Sequence, residues 1–204
     1  MFRLYTWAAP NGWKASIALE ELGLPYEVRK VDLGANKQMK PDFLALNPNH
    51  KIPVLEDDGL VIWESGAILL HLGERHDPKG LILPKDARKR SEAIQLAFFQ
   101  TGGVGPNLGR LGAALRKEGE KNAEMIQIFS AALARLYCAR DRLLADGREY
   151  LAGDYSIGDI MHYPWLSFPL ALKMPELMKL PRVVAWLERI AARPAVVKGM
   201  AVPS

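Results

Sequence analysis

The hydrophobic period of the chain changes once, and that change limits the folds open to it. Up to residue 78, short β-rich runs alternate with helical stretches, whereas every patterned stretch beyond residue 85 is helical. FRLYTW is rich in β-favouring side chains and stops at AAPNG, which predicts a first strand and a turn. From Trp13, apolar Ile17, Leu19, Leu22 and Leu24 spread around a short helix ending at Gly23. YEVRKVDL resumes an alternating pattern and FLALN predicts a short helix. IPVLE and LVIWE flank Asp57, Asp58 and Gly59 as a tight hairpin, and ESGAILLHLGERH returns to helical spacing. The order βαβαββα, two strands joined by a helical crossover and then a terminal hairpin, predicts an α/β thioredoxin-like domain over residues 1–78.

DPKGLILPKD carries two prolines and two lysines and follows neither period, so residues 79–85 read as a linker. Residues 86–204 are then expected to form an all-α helical-bundle domain. Its first helical region, 86–115, should break or kink at TGGVGPN, where three glycines and Pro106 interrupt it. A second helix over 121–146 is expected to bury Ile128, Leu133, Leu136, Leu143 and Leu144. YSIGDIMHYPWL opens a third, with Ser156 as N-cap and Asp159 completing a structural capping box. RVVAWLERIAARP is expected to be the last helix, closing the domain before Pro194.

With 49% apolar and 25% charged residues in 204, the chain is ordinary globular material, which excludes disorder and collagen-like repeats. MFRLYTWAAPNG fits neither a secretory signal nor a membrane span, so a cytoplasmic protein with no membrane partner is expected. Cys138 is the only cysteine, which excludes an internal disulfide, a CxxC pair and any cysteine-rich metal site. Thiol chemistry must arrive with a ligand, and no metal is expected. Residues 1–80 hold 9 basic and 11 acidic side chains, leaving 18 and 12 for the remainder. The basic second half has no Lys/Arg run interleaved with aromatics, so it reads as a solvated surface with no nucleic-acid partner.

Three separated clusters carry the candidate chemistry. At Pro10-Asn11-Gly12 the proline fixes the backbone direction, the glycine lets a ligand approach, and the helix N-terminus favours an anion, although an ordinary turn into a helix needs the same residues. In NHKIPVLE, Pro53 is either trans at a strand start or cis. The cis form would turn the Ile52 N–H and C=O outward to pair with an extended peptide. Lys51 beside it offers a cation to a terminal carboxylate, and Gln38 offers a hydrogen bond. In Trp63-Glu64-Ser65-Gly66, Ser65 is placed to cap a helix and hold a carboxylate while Glu64 pairs with an ammonium. Together they make an amino-acid clamp or, read alone, an ordinary cap with an acidic neighbour.

The ordered set LYTWAAPNGWKASIALEELGLPYEV, PDFLALNPNHKIPVLEDDG, WESGAILLHL and YLAGDYSIGDIMHYPW resembles the glutathione transferase family over essentially the whole chain. PNGxK followed by LNPNxKIP is similar to the bacterial nu class, also called the Ure2-like group. The resemblance implies a glutathione-binding thioredoxin-like domain, an all-helical second domain and a homodimer. Glutathione would be the co-substrate, with an electrophilic or disulfide acceptor. It places Asn11 near the glutathione sulfur as the catalytic residue, Gln38 and Ile52 on the glycine end and the cysteinyl backbone, and Glu64-Ser65 on the γ-glutamyl end. It also gives Arg135, in ARLYC, a second glutathione. Ala9 stands where that class usually has a threonine, and His50 replaces a common asparagine, so thiolate activation has less support than in relatives.

A free thiol has a pKa near 8.5, and lowering it by about two units takes roughly 2.7 kcal/mol. A hydrogen bond to a charged acceptor gives about 1.5–3 kcal/mol and a helix terminus about 0.3–1, so Asn11 with the helix N-terminus just suffices. Tyr5, inside the first strand, reads as a packing residue. Cys138 reads as small and buried, which leaves a second glutathione to resolve any mixed disulfide. The resemblance therefore favours disulfide reduction, with conjugation secondary. The other reading is a non-catalytic interaction protein on the same fold. Trp7, Phe98, Phe99 and Trp165 either line an acceptor pocket or belong to the core, and each taken singly reads as core.

Overall fold

The computed structural model describes residues 1–116 and 120–203. They fall into two compact units, residues 1–90 with 191–204, and residues 91–190. The sequence assigned 191–204 to the helical domain, but the structure groups them with the first unit.

The first unit is built on a four-stranded mixed sheet of order β2-β1-β3-β4, with strands β1 (Phe2–Thr6), β2 (Tyr26–Lys30), β3 (Val54–Asp57) and β4 (Leu60–Trp63). β1 and β2 are parallel, Leu4 facing Val28, and are joined by helix α1 (Pro10–Glu21). β3 runs antiparallel to β1, Leu4 facing Leu55, and β4 returns beside β3 through Asp58 and Gly59, both at positive φ as a two-residue hairpin requires. Short helix α2 (Pro41–Leu46) and helix α3 (Ser65–Arg75) complete the thioredoxin-like order. Leu4, Ile17, Leu19, Leu55, Ile68, Leu69 and Leu72 are wholly buried among these elements.

α1 starts at Pro10, three residues before the position read from the apolar pattern, because proline at the first helical position needs no N–H partner. It ends in a Schellman motif, Leu24 N–H donating to Leu19 C=O and Gly23 N–H to Glu20 C=O. Against α1 lies α10 (Pro194–Met200), a helix the sequence reading missed. A Cβ on Gly199 would come 2.6 Å from the Ile17 Cα, so only glycine allows this approach, and Ser16 Oγ donates to Gly199 C=O at 2.7 Å. The stretch read as a linker is also tied down. Asp77 is buried, and its carboxylate accepts the N–H groups of Leu81, Ile82 and Leu83, the last two wholly buried.

In the second unit α4 (Ala87–Phe99) runs through a π-helical turn at Gln100–Val104 into α5 (Gly105–Leu115), so TGGVGPN widens the helix instead of breaking it. α6 (Glu120–Leu143) buries Phe129, Leu133, Leu136, Tyr137 and Arg140. Leu133, Leu136 and Leu144 are buried as expected, whereas Ile128 is 52% exposed, Phe129 being buried beside it, and Leu143 is only half-buried. α7 (Ile157–Ala171) has the expected capping box, with Ser156 accepting from Gly158 N–H and Asp159 accepting from Ser156 N–H. α8 (Pro175–Met178) and α9 (Pro181–Ala191) follow. Among the described residues no helix is long and apolar enough to cross a membrane.

Candidate active site

One cavity of about 230 Å³ in the first unit is lined by Asn11, Asn47, Asn49, Lys51, Ile52, Pro53, Glu64 and Ser65. Six residues singled out from three separate sequence motifs are thereby brought together. The topology explains why: the turn after β1, the loop before β3 and the turn after β4 all open at one end of the sheet.

Asn11 is the second residue of α1, whose N-cap, Ala9, has no side-chain oxygen to offer. The Lys14 Nζ donates to Asn11 Oδ1 at 2.9 Å. Lys14 Nζ is the donor of this bond, so the half of the amide it holds is the oxygen, and the other half is the NH₂ donor. Lys14 is 2% exposed, and burial pulls its pKa down to about 7, partly opposed by the charge of Glu64. The sequence reading quoted this lysine in PNGxK but gave it no role, although its spacing of three residues from Asn11 on a helix puts the two side chains within reach. Gly12 has a different role from the one read into it. A Cβ there would meet Thr6 Oγ1 at 2.3 Å and Trp7 C=O at 2.5 Å, so the glycine seats α1 on the end of β1 and is not there for a ligand.

The Ile52–Pro53 peptide is cis, and Ile52 precedes the β-ladder, which begins at Val54. Neither its N–H nor its C=O is hydrogen-bonded to another described residue. Asn47, likewise given no role, organises this loop: it is 1% exposed, its Nδ2 donates to Lys51 C=O at 2.8 Å, and its Oδ1 accepts from Asn49 N–H at 2.9 Å. Lys51 is exposed at the cavity edge.

The N-cap of α3 is Glu64, not Ser65, and no side chain caps the helix. Ser65 is instead the first helical residue and is buried, its N–H among the unpaired donors of the first turn. Glu64 has φ 73°, a conformation that disfavours any side chain, and its carboxylate remains exposed. The cavity therefore combines two helix N-termini, a cation at its edge and an exposed carboxylate, which suits a peptide-like zwitterion.

Two expected residues lie elsewhere. Gln38 sits on a single 3₁₀ turn, Lys37–Met39, where its Nε2 donates to Asn36 Oδ1 at 3.4 Å, and it does not line the cavity. Arg135 is on the exposed face of α6, in the other unit. Cys138, expected to be buried, is exposed. Phe98 is 67% exposed and Trp7, Phe99 and Trp165 are partly buried, so the expected core role fails for Phe98. The Tyr5 hydroxyl donates to Glu56 at 3.3 Å, as befits a packing residue of the strand.

The fold is that of the glutathione transferase family. Family models for the glutathione S-transferase N-terminal and C-terminal domains match residues 1–74 and 91–194, and the chain belongs to that family. It is 38% identical over 203 residues to the disulfide-bond oxidoreductase YfcG of Escherichia coli, covering 96% of this chain and 92% of that one. The transcriptional regulator URE2 of Saccharomyces cerevisiae is 29% identical, covering 95% of this chain and 65% of the relative. A glutathione transferase from Burkholderia graminis, crystallised with two glutathione molecules per subunit, superposes with a TM-score of 0.89 at 40% identity, covering 100% of this chain and 88% of that one.

Proposed function

We propose that this protein is a cytosolic, homodimeric glutathione-dependent disulfide reductase that also conjugates glutathione to electrophiles. The observation that carries the reading is the convergence of Asn11, Lys51, Ile52, Glu64 and Ser65 on one cavity at the α1 N-terminus. Glutathione would lie with its γ-glutamyl carboxylate on Ser65 N–H and hydroxyl and its ammonium on Glu64. Its cysteinyl backbone would pair with Ile52, and its glycine carboxylate would meet Lys51. The sulfur would then face the Asn11 amide. Because Lys14 holds the amide oxygen, Asn11 meets the sulfur as a donor, which favours thiolate over thiol. Gln38 on the glycine end, Arg135 on a second glutathione and the dimer are carried by the family resemblance. Exposed Phe98, Met125 and Ile128 in the second unit are compatible with a buried apolar interface in the dimer.

The bound thiolate attacks one sulfur of the disulfide, forming a mixed disulfide with glutathione and releasing the other sulfur as thiolate. A second glutathione thiolate then attacks the glutathione sulfur of that mixed disulfide. Glutathione disulfide forms and the remaining thiol leaves, so two glutathiones supply the two electrons. The relative named as a disulfide-bond oxidoreductase supports this reaction type. The exposed basic residues of the second half and the URE2 relative support the other reading, an interaction protein. Calorimetry with glutathione and a reductase-coupled assay with a small disulfide separate the two. Saturable binding with turnover is the expected result. Binding without turnover above background would leave the interaction protein standing, and no binding would remove the glutathione site itself.

A further inference from the structure

Asp57, His71 and His76 form a cluster outside the glutathione cavity, and nothing in the proposed chemistry uses it. Asp57 is the last residue of β3, His71 lies on α3, and His76 follows the last turn of α3. His71 Nε2 stands 2.8 Å and His76 Nε2 2.7 Å from the same atom, Asp57 Oδ2. The side chains are 13%, 11% and 28% exposed in the order Asp57, His71, His76, so the group is sheltered but open to solvent on the His76 side. The edge of Phe2 packs against the His76 ring with centroids 4.8 Å apart, and the two imidazoles are 5.7 Å apart, which restricts both rings.

We propose that Asp57, His71 and His76 form a binding site for a divalent transition-metal ion of the zinc class. Two imidazole nitrogens and one carboxylate oxygen are the donor set that zinc accepts with a fourth position open to water. All three donor atoms lie within 4.8 Å of one another. Ligands about 2.0–2.1 Å from a tetrahedral ion stand roughly 3.3 Å apart, so the present contacts need to widen by about half an ångström. The two imidazole nitrogens, which lie within 4.8 Å of each other, must likewise come to about 3.3 Å apart on the ion.

An ionised carboxylate only accepts, so without metal each ring presents Nε2–H to it. On metal binding at Nε2, each neutral ring shifts its single proton to Nδ1, so the rings stay neutral and no proton is released. The sequence expectation of no metal rested on the lone cysteine, and it had no means of bringing residues 57, 71 and 76 together.

The test uses untagged, metal-stripped full-length protein with zinc chloride alone, leaving out glutathione because its thiol binds zinc. The expected result is one zinc per chain retained through gel filtration, a micromolar or tighter Kd by indicator competition, and visible cobalt(II) absorption of the tetrahedral kind. His71→Gln with His76→Gln should weaken the affinity at least 10-fold, as should Asp57→Asn, whereas Cys138→Ser should leave it unchanged. The single variant His76→Gln, at the most exposed ligand, guards against a folding defect and should show the same loss with an unaltered circular dichroism spectrum. Sub-stoichiometric zinc on the wild-type protein, or equal affinity in the folded His76→Gln variant, would overturn the site.

Discussion

A buried lysine is an expensive thing to place beside a binding cavity, and Lys14 is 2% exposed with its pKa lowered by burial to about 7. The unfolded chain holds its lysine proton up to the ordinary value of 10.5, so between about pH 7 and 10.5 it binds more protons than the folded one. The penalty is therefore greatest below pH 7 and fades as pH rises through that window. Lys14→Met should raise Tm relative to wild type most at pH 6, with the difference shrinking towards pH 10. A constant offset would mean that the lysine is not desolvated. The same change releases the Asn11 amide, and a hydrogen bond from a charged donor contributes about 1.5–3 kcal/mol, so kcat/KM for disulfide reduction should fall by roughly 10-fold or more. Sequence reasoning gave Asn11 a role and quoted Lys14 only as the last residue of PNGxK, because a lysine in an amphipathic helix reads as solvated. It also gave Gly12 to a ligand when the nearest atoms are those of Thr6 and Trp7.

Elements with a repeating pattern or a capping chemistry of their own were legible. The hairpin at Asp58-Gly59 and the Ser156–Asp159 box belong to this group. Two short helices were not, α8 of four residues and α10 of seven, neither long enough to display a period, although the six-residue α2 was read from FLALN. Helix phase was legible only coarsely, which is why Phe129 and not Ile128 is buried in α6, and why Cys138 is exposed. The capping box has more holding it than a cap alone. Asp159 Oδ1 accepts from Trp186 Nε1 at 2.8 Å and from Leu151 N–H at 3.1 Å, and burial pushes the carboxyl pKa up to about 6. Losing a cap costs about 0.5–2 kcal/mol and orphaning a buried donor about 1–3, so Asp159→Ala should destabilise the protein by roughly 2–4 kcal/mol in urea titration. A change within 0.5 kcal/mol would show that water replaces the carboxylate.

For the molecule as a whole, the sequence held the candidate cavity in three places spread over 54 residues, from Asn11 to Ser65, and only the fold joins them. The proposed disulfide reduction also needs a thiol that resolves the mixed disulfide. Cys138 is exposed and sits three residues from Arg135, on the same side of α6, so two accounts of the second step compete: a protein thiol or a second glutathione held by Arg135. They differ in kinetics. With a protein thiol, Cys138→Ser would trap the mixed disulfide and abolish turnover, and the Arg135→Ala change would be mild. With a second glutathione, Cys138→Ser should keep turnover within about 2-fold. Arg135→Ala should instead raise the glutathione concentration needed for half-maximal rate by about 10-fold, the effect of removing a charged hydrogen bond of about 1.5 kcal/mol. The second outcome is expected here, because nothing in the sequence around Cys138 supplies a second cysteine to release it from glutathione, and its own mixed disulfide would need that same second glutathione.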